Sequence, residues 1–432
     1  MNANALSSKH KVKSGPYFEF NHHDGADTLA VVFNGRNIRP PKFTFWKTFQ
    51  SVHAHVIFLN CDIPNWFRDG VPGIAGGAPG VAAEIKKFQS ETGARRLVTT
   101  GSSMGGYGAL LYGALAGADE VLAFGVEPLL GVPGGKTEHT RNHLQFLYPD
   151  LTGFSKLPRT TVFYGGMDIN DTLGAWLLWK RRRASLVSIQ HAQHDTPDFL
   201  SRSTQLSECF YGLVNGNGIP GFDYGQGSGA SDEVVRLLWK LNEYYVARDW
   251  KGVRRYLEKS IIDRSSPLLD HILAMSFYRL GDHRRARDQF TANLNSSRLF
   301  WETWLNLSAS CLRLGMIEEA ERYAVNAVKL RPIRSVAHSH LATVYRRLGR
   351  LKEAYEHCAW ACKLNPGRTE YFSALAEVAN LVRLPVLEPI ALARSHKENS
   401  QLAIQLFADY ELRSETAPSA AAQSASAGVL AV

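Results

Sequence analysis

The sequence predicts a mostly parallel α/β domain followed by an array of paired helices, and three observations carry this prediction. Short apolar, β-branched runs alternate with amphipathic stretches over residues 15–214. A glycine-rich segment, residues 215–230, then interrupts the pattern and predicts a linker. Over residues 231–413 apolar and small residues recur every 34 positions, a period typical of helical repeats.

Six runs predict buried strands because they are apolar on both faces, as in parallel sheets. They are TLAVVFNG (28–35), HVIFLNC (55–61), RLVTTGSS (96–103), EVLAFGVE (120–127), RTTVFYGG (159–166) and SLVSIQHA (185–192). A further run, YFEFNHH (17–23), predicts an edge strand. Helical patterns between the strands cover residues 81–93, 105–116 and 172–183. This alternation predicts an α/β fold with helices on both faces of the sheet.

The composition is that of a soluble globular protein. The chain has 432 residues, 45% hydrophobic and 21% charged, with a formal net charge of +9. Its basic residues are dispersed apart from a run at 180–183, so we expect no nucleic-acid partner. The five cysteines lack metal-ligand spacing, so we predict no metal and no cofactor. No apolar run resembles a secretory signal or a membrane span, so a cytoplasmic location is expected.

The turn after the run RLVTT has the pattern Gly-x-Ser-x-Gly, with Ser103 at its centre. A nucleophile on a sharp strand-to-helix turn needs small flanking residues, here Gly101 and Gly105. The N–H of the following residue, Met104, can then donate to a developing oxyanion. The five-residue pattern is weak alone, but the apolar strand before it and the small-residue helix after it provide the context that it requires. The pattern predicts that Ser103 is a nucleophile.

With this turn, the strand–helix alternation around it and a downstream acid and histidine, the α/β domain resembles the α/β-hydrolase family. The resemblance implies a catalytic triad in the chain order Ser103, Asp168, His194. Asp168 follows the run RTTVFYGG, and His194 follows the run SLVSIQHA. Two other acids remain open for the same role. They are Asp171, three residues further on, and Glu127, just after another strand.

The resemblance also implies a second oxyanion donor in the loop after the first long strand. The amide of Gly35 or of Arg36 is the candidate, together with that of Met104. Only 31 residues, 128–158, lie where the family usually inserts a lid. We therefore expect an open site that suits a bulky or polymeric substrate, or a site that a partner covers.

The period of 34 resembles the tetratricopeptide repeat, in which small residues lie where helices cross. Identical residues recur in three columns, namely Leu273, Leu307 and Leu341; Gly281, Gly315 and Gly349; and Ala286, Ala320 and Ala354. The resemblance implies a surface that docks a protein partner. The low-complexity stretch at 414–432 is predicted to be disordered.

Two hypotheses of different classes follow. In the first, the protein is a serine hydrolase of carboxylesterase, deacetylase or acyltransferase type. It acts on an ester or other acyl bond of a small molecule or polysaccharide, and its repeats dock a protein partner. Hydrolysis and transfer share an acyl-enzyme, so the sequence leaves both open. In the second, the hydrolase fold is inactive and the repeats carry a scaffolding function. The segments GSSMGGYGALLYG and FGVE resemble predicted bacterial hydrolases linked to surface-polysaccharide assembly.

Overall fold

The computed structural model describes residues 10–36, 38–61, 65–135, 137–138, 147–181, 184–221, 231–260 and 266–382. Part of the predicted linker and the whole of the predicted disordered tail lie outside the described residues. The chain forms two compact units, residues 1–269 and 270–432. Among the described residues, no helix is long and apolar enough to cross a membrane.

The first unit contains an eight-stranded sheet within the described residues. Its strands are β1 His10–Ser14, β2 Phe18–His22, β3 Thr28–Phe33, β4 His55–Leu59, β5 Arg96–Ser102, β6 Glu120–Phe124, β7 Arg159–Gly165 and β8 Ser185–Ile189. Their order is β1-β2-β4-β3-β5-β6-β7-β8. Strands β3 to β8 pair in parallel, and β2 is antiparallel to β1 and β4.

All seven predicted strands form, but one of them lies at a different position in the sheet from the one predicted. The run YFEFNHH was expected at an edge, whereas β2 lies inside the sheet because β1 pairs with its outer side. The sequence of β1, HKVKS, has neither the apolar run nor the alternation that identifies a strand. Its pairing with β2 is therefore a feature that only the folded chain reveals.

Helices lie on both faces of the sheet. The helices of the first unit are α1 Trp46–Phe49, α2 Gly77–Thr92, α3 Met104–Ala116, α4 Ile169–Lys180, α5 Thr196–Leu200, α6 Gln205–Asn215, α7 Asp232–Val246 and α8 Trp250–Lys259. Successive residues of β3 belong to different apolar clusters, with Val31 in the one that holds α2 and α3 and Val32 in the one that holds α6. This is why the central strands read as continuous apolar runs.

Helix α7 packs against the α/β part of the first unit. The indole N–H of Trp176 on α4 donates to Asp232 Oδ1 at 2.9 Å, and Lys180 Nζ donates to Asp232 Oδ2 at 2.6 Å. At the other end of α7, the buried amide of Asn242 donates to the carbonyl of Pro133 at 2.5 Å. The first unit therefore extends past residue 231 and includes two helices from the predicted repeat region.

The second unit is an array of paired helices, as the 34-residue period predicted. They are α9 Pro267–Arg279, α10 His283–Ser297, α11 Trp301–Arg313, α12 Ile317–Leu330, α13 Ser335–Arg347, α14 Leu351–Leu364 and α15 Thr369–Val382. The three repeated glycines lie in the turns with φ of 83°, 79° and 73°, which only glycine adopts without strain. The three repeated alanines are fully buried where helices cross.

A buried histidine of the repeats makes their stability depend on pH. His271 on α9 packs between the rings of Phe290 and Phe300, and burial lowers its pKa to about 3. Below its unfolded pKa of about 6.5 the unfolded chain binds a proton that the folded chain does not. The contribution of His271 to the free energy of unfolding therefore falls as the pH falls from about 6.5 towards 3.

We expect the repeat unit to lose about 1.4 kcal/mol of stability through His271 between about pH 7.5 and 5.5. Calorimetric unfolding of the full chain at both pH values measures this loss. His271→Gln should reduce the loss by that amount, since glutamine does not titrate. An equal loss in both proteins would show that His271 is not protonated on unfolding.

Candidate active site

Ser103 lies on a strained turn between β5 and α3. Its backbone has φ 58° and ψ −119°, values that non-glycine residues rarely adopt. Such strain costs about 1–3 kcal/mol and persists only where the surrounding structure enforces it. Here the N–H of Ser103 donates to the carbonyl of Phe124 at 2.8 Å, and the carbonyl of Ser103 accepts from Tyr107 at 3.1 Å. The turn thus presents Ser103 at the carboxyl end of a central strand.

The two glycines of the pattern are required by close backbone approach. A Cβ at Gly101 would overlap the carbonyl of Gly105. A Cβ at Gly105 would overlap the carbonyl of Phe33 at the end of β3. The spacing seen in the sequence therefore has a steric cause in the packing of α3 against the strands.

His194 and Asp171 form a hydrogen-bonded pair near this turn. Nδ1 of His194, which follows β8, lies 2.6 Å from Oδ1 of Asp171 in the first turn of α4. Asp171 is only 2% exposed, and its other carboxylate oxygen accepts from the N–H of Gly165 at 3.2 Å. A carboxylate on Nδ1 directs the tautomer of the imidazole and leaves Nε2 as the nitrogen for proton transfer.

Gly125, which the sequence analysis did not single out, allows this pair to form. A Cβ there would lie 2.9 Å from Nδ1 of His194 and 3.0 Å from Oδ2 of Asp171. The backbone of Gly125 also has a positive φ of 54°. Its signal in the sequence was a glycine directly after the buried run EVLAF, the place where a backbone approaches a site closely.

The prediction that Asp168 is the partner of His194 needs correction. Asp168 is the N-cap of α4, and its Oδ1 accepts from the N–H of Asp171 at 3.0 Å. The acid bonded to Nδ1 is Asp171, which the sequence left as an alternative. The other alternative, Glu127, accepts from the hydroxyl of Thr137 at 3.2 Å in the loop after β6. An N-cap carboxylate serves the helix end, whereas Asp171 one turn later faces the sheet.

The oxyanion prediction is corrected for Gly35. Its N–H donates to Oγ1 of Thr44 at 3.1 Å, so this amide already has an acceptor. The N–H of Thr44 in turn donates to Oδ1 of buried Asn34 at 2.6 Å. Arg36 and Met104 remain as candidate donors, and Met104 is the first residue of α3, whose N–H has no intrahelical acceptor.

One cavity of about 530 Å³ brings the candidate residues together. It is lined by Ser103 and His194 and by Gly35 and Arg36. The other lining residues are Ile38, Thr44, Phe45, Ser102, Asp195, Pro197 and Asp198. Ser103, the histidine held by a buried carboxylate and the loop at Gly35 and Arg36 thus line the same space.

The same residues also have the spacing of a cation site. Asp168, Asp171 and His194 each offer a ligand atom within 4.8 Å of the other two, the one such group among the residues described. Two carboxylates and an imidazole suit a divalent cation. However, Nδ1 of His194 already forms a hydrogen bond with Asp171, so the arrangement of these residues needs no metal.

We expect treatment with a chelator to leave the reactivity of Ser103 unchanged, because the His194–Asp171 bond needs no metal. Labelling of the protein by a fluorophosphonate probe before and after dialysis against EDTA measures this. A loss of labelling that zinc restores would instead assign the three residues to a cation.

Comparison with known proteins addresses the repeats. Residues 335–360 match the model of the tetratricopeptide repeat family. MamA (residues 41 to the end) from Desulfovibrio magneticus RS-1 is 18% identical, with a TM-score of 0.34, over 44% of this chain and 99% of its own. YrrB, a TPR protein with an unusual peptide-binding site, is 17% identical, with a TM-score of 0.33, over 40% of this chain and 91% of its own.

A third structure, the first TPR of Spaghetti (RPAP3) bound to an HSP90 peptide, is 20% identical, with a TM-score of 0.27, over 29% of this chain and 100% of its own. The comparison with curated proteins finds no match. The tetratricopeptide repeats predicted from the 34-residue period are confirmed by the family match.

Proposed function

We propose that the first unit is a serine hydrolase that cleaves an ester or other acyl bond, with Ser103 as nucleophile. The observation that carries the proposal is the 2.6 Å bond between His194 and buried Asp171, at a cavity that Ser103 also lines. The strained backbone of Ser103 adds support, because such strain clusters at active sites.

The proposed reaction uses these groups in two steps. Oγ of Ser103 attacks the acyl carbonyl while Nε2 of His194 takes its proton, and Asp171 stabilises the imidazolium that results. The N–H groups of Met104 and Arg36 stabilise the oxyanion. His194 then gives the proton to the leaving group. Water, or another hydroxyl in the case of transfer, releases the acyl group from Ser103 in the second step.

Labelling with a fluorophosphonate probe tests this proposal, with the neighbouring serine as a matched control. Wild type and Ser102→Ala should be labelled, whereas Ser103→Ala should not, because only Ser103 lies at the centre of the turn. His194→Ala should lower the labelling rate by at least about 10³-fold. A folded wild type that is not labelled would favour the inactive scaffold.

A second role, docking of a protein partner by the repeats, is supported by apolar side chains that they expose. Trp360 is 48% exposed on α14, and Val336 is 39% exposed on α13, both within the matched repeat. Repeat arrays bind partners through extended surfaces of this kind. Affinity purification of the full chain beside Trp360→Ser tests this role. A protein that wild type retains and the variant loses would support it, and identical recoveries would contradict it.

A further inference from the structure

A second cavity adjoins the one at Ser103. Its volume is about 930 Å³, and it shares Phe45, Pro197 and Asp198 with the serine cavity. Its lining also includes Gly15, Glu19, Pro41, Trp46 and Ser201. The two cavities meet at the three shared residues, and the larger one is called the Trp46 groove here.

Trp46 offers an oriented aromatic surface in this groove. Trp46 is 41% exposed. Its indole N–H donates to Oε1 of Glu19 at 2.9 Å. Glu19 is only 8% exposed, and the same oxygen accepts from Asn21 at 3.1 Å. A buried carboxylate thus holds the indole in one orientation while its ring remains open to solvent.

The backbone at the preceding residue explains why Trp46 is exposed. Phe45 has a left-handed φ of 58°, a strained state for a bulky residue. Its ring is anchored in the core against Phe210 and Phe124, with centroids 4.9 and 5.8 Å away. The turn therefore packs the half-buried ring of Phe45 against the core and leaves the ring of Trp46 more exposed beside it. Backbone strain of this kind recurs at ligand-binding sites.

The remaining lining of the groove is open and combines apolar groups with charged and polar ones. Carboxylates, ammonium groups and hydroxyls stand beside the aromatic rings, and Gly15, Pro41 and Ser201 are exposed. A sugar ring matches such a surface, because its C–H face packs on an aromatic ring while its hydroxyls bond to polar groups. An acyl tail gains its binding energy from complete burial, which an open groove does not provide.

We propose that the Trp46 groove binds the sugar chain of an O-acylated oligosaccharide or polysaccharide and delivers its ester to Ser103. This inference rests on the proposed function for its chemical step. There the bond between Oγ of Ser103 and the acyl carbon forms, and the bond from that carbon to the sugar oxygen breaks. His194 passes the serine proton to the sugar oxygen, and water then releases the carboxylic acid.

Isothermal titration calorimetry on the full chain tests the groove without turnover. The Ser103→Ala protein is titrated with chitohexaose, carrying six N-acetylglucosamine units, and with xylohexaose, each beside its monosaccharide. We expect at least one hexasaccharide to bind more tightly than its monosaccharide. Adding Trp46→Ala should weaken that binding about tenfold. Adding Trp179→Ala, a tryptophan 51% exposed that does not line the groove, should leave it unchanged.

Two results would overturn the proposal. The first is that neither hexasaccharide binds, or that the Trp46→Ala protein binds a hexasaccharide as tightly as the Trp179→Ala control does. The second concerns Trp46→Ala made in the protein that keeps Ser103. If it has a higher KM than wild type for 4-nitrophenyl octanoate but not for 4-nitrophenyl acetate, the groove would be assigned to an acyl chain. Hexasaccharide binding without fluorophosphonate labelling would keep the groove and reject the hydrolase, and labelling without binding would do the reverse.

Discussion

Replacing Asp171 with asparagine is expected to lower the turnover of 4-nitrophenyl acetate about 10⁴-fold. An amide on Nδ1 of His194 favours the wrong tautomer and does not stabilise the imidazolium. Steady-state kinetics on wild type and Asp171→Asn measure the effect. The loss should fall on kcat, because Asp171 is buried behind His194 and does not line the cavity.

Asp168→Asn is the matched control for this experiment, three residues away on the same helix. Asparagine is as good an N-cap as aspartate, so α4 should remain intact and turnover should change only a few-fold. A larger loss from Asp168→Asn than from Asp171→Asn would restore Asp168 as the acid. Equal and small losses would remove both carboxylates from the proposed mechanism.

Gly105→Ala is expected to destabilise the first unit by about 3 kcal/mol or more. The new Cβ would overlap backbone atoms of Phe33 and Asn34, and neither β3 nor α3 can move without opening the core between them. Calorimetric unfolding of the full chain measures the effect, and the transition of the repeat unit serves as an internal reference.

Gly153→Ala is the control for Gly105→Ala. The nearest atom to a Cβ at Gly153 is 3.9 Å away, an ordinary contact, so its melting temperature should stay close to that of wild type. If Gly105→Ala had the same melting temperature as Gly153→Ala and was still labelled by the fluorophosphonate probe, the steric account of the Gly-x-Ser-x-Gly turn would be wrong.

The acid of the candidate site shows where sequence reasoning ended. Asp168 and Asp171 both follow β7 closely, and the spacing from the strand favoured neither by a physical argument. The choice depends on where α4 begins. Since Asp168 caps the helix, Asp171 falls one turn inside it and faces Gly165 and His194. A helix start is uncertain by about two to four residues in a sequence, and the two aspartates lie only three residues apart.

The amide of Gly35 shows a second limit. Its acceptor, Thr44, lies nine residues further along the chain, between β3 and α1. No periodicity links the two residues, so only the folded loop reveals that this N–H is already bonded. The same holds for Trp46, whose exposure follows from the left-handed turn at Phe45 and whose indole is held by Glu19 on β2.

The sequence by itself determined the strand runs, the Gly-x-Ser-x-Gly turn and the 34-residue period, because each depends on residues close together or repeated along the chain. Only the tertiary structure decided that β1 covers β2, that Asp171 holds His194, and that α7 packs on α4. These features either involve contacts between residues far apart in the sequence or depend on the residue at which a helix begins. Their contacts leave no local pattern, since they form only when the sheet and helices pack.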